Sequence, residues 1–150
     1  MIKYLLYAMV ASVVIIQFFQ IDKTSLPSEE RKDFIALNHP PVEVEEILRS
    51  ACYDCHSNHT EYPWYSNIQP VGWWLADHVD HGRGHLNFSD WGNYEEKKQK
   101  HKVTECMEEV EEGEMPLNSY TWMHGDARLT EEQRETLIAW FNTLPHEEDH

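Results

Sequence analysis

The chain has 150 residues, enough for one compact domain. Its 27 Asp and Glu against 12 Lys and Arg give a formal net charge of -15, which disfavours nucleic acid and anionic lipid and points instead to a protein partner with a basic docking patch. Six Trp and seven Tyr are a heavy aromatic load for this length; flat rings need burial, and a flat cofactor would suit them.

Lys3 precedes an almost unbroken apolar run from Tyr4 to Phe19, interrupted by Ser12 and Gln17. The run ends in Gln17-Phe18-Phe19-Gln20-Ile21, without the small residues a signal peptidase needs, and no cysteine lies near it to accept a lipid. Residues 1–21 therefore read as an uncleaved signal-anchor, a transmembrane helix of marginal length, since a span needs about 20 residues and ~17 at the least. A buried core helix is the alternative. Lys3 keeps the amino end in the cytoplasm, so everything after Asp22 is expected outside. The protein is then single-pass in the cytoplasmic (inner) membrane, with its domain in the periplasm.

Residues 22–40 carry Ser, Glu, Lys, Asp and two prolines with no sustained apolar period, and are expected as a tether. The folded domain is expected over 41–145, followed by a tail at 146–150. Pro41 suits a first helical turn, and Val44, Ile47, Leu48, Ala51, Cys52 and Cys55 fall on one face of the helix it opens. After an irregular stretch, Pro70 opens a second helix through "VGWWLADHVDHG", which Gly82 and Gly84 are expected to stop. A long charged helix from about Tyr94 to Glu112 turns Val103, Met107 and Val110 inward and ends at Gly113. Thr130 and Gln133 form a capping box for a last helix lined by Leu137, Trp140, Phe141 and Leu144. No strand pattern and no repeat is present, so the fold is expected to be all-α with long functional loops.

The chemistry concentrates in Cys52-Tyr53-Asp54-Cys55-His56. A C-x-x-C pair has three readings: a redox disulfide, half a zinc site, or the thioether anchor of a c-type haem. The histidine directly after the second cysteine favours haem. Two thiols one helical turn apart reach vinyl groups on adjacent pyrroles, and the next residue projects toward the iron, which makes His56 the proximal ligand. Zinc needs a second ligand pair, for which His59, His78, His81 and His85 are available while Cys106 stands alone. A thioredoxin-like oxidoreductase needs alternating strands and helices, which are missing. Export agrees with covalent haem, whose attachment is extracytoplasmic. Met115, in the Gly-x-Met-Pro turn before Pro116, is the candidate sixth ligand; His78, His81 and His85 are alternatives for a bis-histidine site. A gap-filling core methionine is the plainer reading of any Met.

Taken together, "CYDCHSN", "YPWY", "IQPVGWWLADH", "LNFSDW", "EEGEMPL" and "LTEEQRETLIAW" resemble the bacterial haem-binding domain family, small membrane-anchored proteins related in plan to cytochrome c. The similarity covers nearly everything from Val42 to Leu144. It implies a small cytochrome c-like helical domain with one covalent haem c, and its iron, held through Cys52 and Cys55 with His56 as axial ligand. It names neither an electron partner nor a reaction. Cytochromes c also place a proline after the haem histidine to accept a hydrogen bond from the imidazole; Pro70 is the candidate and Pro63 the rival. Tyr62, Trp64, Tyr65, Trp73 and Trp74 are expected to wall the group off from water, with some of them simply core. Arg83 is a candidate for the haem propionates, and Cys106 for a buried inert thiol.

Two function classes follow. A coordinatively saturated haem is an electron carrier, whereas an open distal position defines a haem enzyme or gas sensor. Met115 favours the carrier. A zinc-binding envelope module is a distant third.

Overall fold

The computed structural model describes residues 1–147, and among these it has eight α-helices and no strand. The all-α expectation holds. The helices are α1 (Ile2–Ile16), α2 (Phe34–Asn38), α3 (Val42–Ala51), α4 (Tyr53–His56), α5 (Val71–His85), α6 (Glu96–Glu111), α7 (Asn118–Thr121) and α8 (Glu131–Phe141), joined by loops and short 3-10 turns. The expected tail, 146–150, lies largely outside the described residues.

Helix α1 is apolar on all sides, and none of its residues is buried. It stops at Ile16 because the Gln17 side chain turns back onto the Val13 carbonyl, at 2.9 Å, and across to the backbone of Gln69. Its 15 residues rise about 22 Å, short of the ~30 Å hydrocarbon core. Among the described residues no helix is long and apolar enough to cross a membrane. The expected transmembrane helix is thereby corrected to a shorter, exposed apolar helix.

The second half of the expected tether is packed. Phe34 is fully buried at the start of α2, with Ile35 beside it. Asp33 caps this helix by accepting from the Ile35 amide at 2.9 Å. The Phe34 ring centroid lies 4.6 Å from Trp91, 4.9 Å from Phe88 and 5.7 Å from Trp140. Val44, Ile47 and Leu48 of α3, Val103 and Val110 of α6, and Leu137 and Phe141 of α8 complete the core. Helix α8 packs on both α3 and α6, and its Thr130–Gln133 capping box forms as expected. Gly113 ends α6 in the left-handed region, φ 77°, where glycine meets no steric penalty.

Gly82 and Gly84 do not stop α5, which runs on to His85. Gly82 serves close packing instead. A Cβ there would lie 3.1 Å from the Cys55 carbonyl oxygen and 3.5 Å from His56 Cε1, so its missing side chain lets α5 press on α4.

Candidate functional site

Cys52, Cys55 and His56 open onto one cavity of about 490 Å³, within the range of small-molecule and cofactor sites. The expected single helix through the motif is broken at Cys52, with φ -124° and ψ -43° between α3 and α4. Tyr53, within the motif, holds α4 down. Its ring stacks on Phe88 at 5.1 Å and 11°, and its hydroxyl donates to Asp33 Oδ1 at 2.9 Å. Burial pushes the Cys52 thiol up to about 12 and the Cys55 thiol up to about 11. Without a partner, both stay protonated and unreactive at neutral pH.

His56 Nδ1 lies 3.1 Å from the Leu86 carbonyl oxygen. A carbonyl only accepts, so Nδ1 carries the proton and the Nε2 lone pair is free for a metal. Burial holds the His56 pKa below the ordinary value, which keeps the ring neutral, as a ligand must be. The orienting role expected of Pro70 therefore belongs to Leu86, brought there by the end of α5. Pro70 sits at the other end of that helix as its N-cap residue.

Met115 lines the same cavity, together with Pro116 and Leu117. Its amide donates to the Glu109 carbonyl at 3.0 Å, tying the turn to the end of α6. The α5 stripe His78, His81, Gly82 and His85 forms another wall, so all three alternative histidines also reach the cavity. Phe88, Val110, Leu137 and Phe141 supply apolar lining. Lys102 and Glu105, ion-paired to each other, and Cys106 complete the α6 side. Burial raises the Cys106 thiol further, in line with an inert role. Tyr120 enters from α7 and donates to Asp54 Oδ2 at 2.7 Å, linking the segment after Met115 to the C-x-x-C motif.

The aromatic wall is corrected. Tyr62, Trp64, Tyr65, Trp73 and Trp74 line no part of this cavity. Trp64, Trp73 and Trp74 are exposed, and the Trp73 indole donates to the Phe19 carbonyl at 2.8 Å. The reason is helical spacing: Trp74 is one turn before His78, against which it packs at 4.1 Å, and so falls beyond the cavity edge. Arg83 is not in the lining either; its Nε is buried beside Cys55 without a hydrogen-bond partner. Leu86, Gly82, Tyr53 and Tyr120 are the site residues that sequence reasoning missed. Only Gly82 carried a signal, an isolated glycine inside a helical pattern.

Two half-buried thiols, an oriented imidazole and a thioether thus line one largely apolar cavity of cofactor size. Among the described residues no three His, Cys, Asp or Glu side chains come together to hold a bare metal ion, so the zinc alternative finds no ligand set. Residues 11–143 match the family model described as haem-binding domain, and the chain belongs to that family. Comparison with curated proteins and with solved structures found no match.

Proposed function

We propose that this haem-binding protein is a single-haem, c-type electron carrier, attached to the outer face of the cytoplasmic membrane. The observation that carries the reading is the convergence of Cys52, Cys55 and His56 on one cavity that Met115 reaches from a different segment. In this reading Cys52 and Cys55 would hold the haem through two thioethers, each thiol adding its sulfur and hydrogen across a vinyl group with no leaving group. When bound, the haem supplies a one-electron ferric–ferrous couple. His56 would offer Nε2 to the iron, with the Leu86 carbonyl fixing the ring through Nδ1. Met115, which lines the same cavity, would offer its thioether sulfur as a further ligand, a donor that would keep small ligands out and raise the potential relative to a second histidine. Leu137 and Phe141 exclude water. The acidic surface favours a redox partner with a basic patch, and the exposed apolar α1 favours attachment to lipid.

A second reading, a haem enzyme or sensor with an open sixth position, draws on His78, His81 and His85, which give the same cavity groups able to move protons.

Covalent attachment is tested by haem staining on a denaturing gel of protein made with haem-maturation machinery. Wild type should stain, Cys52→Ala and Cys55→Ala should keep at most one thioether, and the double variant should be colourless. A colourless wild-type band from correctly exported protein sinks the reading.

A further inference from the structure

We infer that the end of the domain formed by Trp64, Ile68, Val71, Trp73 and Trp74 lies against the lipid interface, forming one membrane-contacting surface with α1. The inference rests on the proposed membrane attachment and adds to it a second chain segment and a fixed orientation.

The charge pattern gives the first argument. In a chain with 26% charged residues, the two longest stretches without Asp, Glu, Lys or Arg run from Tyr4 to Ile21 and from Tyr62 to Ala76. The fold brings them together. Gln17 pairs with the Gln69 backbone in both directions, Nε2 donating to the carbonyl at 3.0 Å and Oε1 accepting from the amide at 2.9 Å. Gln20 Nε2 donates to the Asn67 carbonyl at 3.2 Å, and Trp73 Nε1 to that of Phe19 at 2.8 Å.

These bonds begin at the residue directly after α1, so no slack chain separates the helix from the domain. A lipid-embedded α1 therefore brings this end of the domain to the headgroups. The surface it presents there is suited to them. Trp64 is 71% exposed, Ile68 46%, Val71 41%, Trp73 39% and Trp74 45%, five large apolar side chains open to solvent within eleven residues of chain, the kind of cluster that marks an interaction surface. Indoles favour the membrane–water boundary, where the ring is apolar and the N–H stays hydrated. A chain of net charge -15 can approach lipid closely only with a carboxylate-free face, and the carboxylates of Glu61 and Asp77 flank this one in sequence. Trp74 packs on His78, a cavity residue, so the cavity edge stands one helical turn from the lipid.

The test uses the full chain reconstituted in phosphatidylcholine vesicles that carry a diazirine-bearing phosphatidylcholine, with irradiation followed by peptide mapping by mass spectrometry. Label is expected on α1 and on residues 64–74, and not on the exposed face of α6. Label on α1 alone overturns the face assignment and leaves membrane attachment standing; label on neither removes both. Val71→Asp places an acid in the first turn of α5, where it suits the helix dipole, and should abolish label on 64–74 while α1 remains labelled. Unchanged labelling of 64–74 in that variant contradicts the inference. So does a detergent-solubilised dimer whose cross-links map to these tryptophans, which would give the face to a second copy.

Discussion

Met115 and Gly82 both line the cavity, one from the turn after α6 and one from α5. If Met115 fills the sixth position, Met115→Ala should convert a low-spin haem that binds carbon monoxide poorly into one that binds it readily, read by optical titration. Met107→Ala should leave the spectrum intact and cost only packing, less than the ~2–5 kcal/mol of a fully buried methionine, because Met107 is partly buried against the core. A low-spin spectrum that survives Met115→Ala and fails on changing His78, His81 or His85 identifies a bis-histidine carrier. Gly82 and Gly84 separate two roles of glycine within one helix. Gly82→Ala sets a methyl 3.1 Å from the Cys55 carbonyl oxygen and should cost about 1–3 kcal/mol by overpacking. Gly84 has nothing within 4 Å of its would-be Cβ, so Gly84→Ala should stabilise the helix by about 0.5–1 kcal/mol. Urea midpoints of the two variants should move in opposite directions.

At the scale of elements, the Tyr120–Asp54 hydrogen bond closes the loop after Met115 onto the helix that carries Cys55. Tyr120→Phe keeps the ring and removes the bond, for an expected loss of about 1 kcal/mol in chemical denaturation, with no further loss in an Asp54→Ala background. Equal losses in both backgrounds would show that the bond carries no stability. This long-range clasp is not legible in sequence, since nothing local pairs residue 54 with residue 120. The signals that were legible are local ones: the Thr130–Gln133 box, the Gly113 stop, the apolar face of α3 and the C-x-x-C-H spacing. The glycines of α5 misled because a glycine that ends a helix and one that admits a neighbouring backbone look alike in sequence. Phe34 gives no signal in sequence because a helix of five residues is too short to show a period. The aromatic run at 62–74 misled for another reason: exposed, core and cofactor-facing tryptophans have the same composition, and only the phase of α5 assigns them.

Across the whole molecule, charge and apolarity are segregated. α1 and the tryptophan end carry exposed apolar surface and lie in the stretches Tyr4–Ile21 and Tyr62–Ala76 that hold no Asp, Glu, Lys or Arg, the net negative charge lies elsewhere in the chain, and the cavity opens among α4, α5, α6 and the Met115 turn. That arrangement suits a carrier that docks a basic partner while resting on lipid. The carrier reading depends on haem being bonded to Cys52 and Cys55. The most direct test is the intact mass, under denaturing conditions, of protein exported in cells that carry haem-maturation machinery. Covalent attachment gives a single species heavier than the bare chain by one haem, reduced to the bare chain by joint Cys52→Ala and Cys55→Ala replacement. A wild-type mass equal to that of the bare chain, from protein that was red before denaturation, would contradict it.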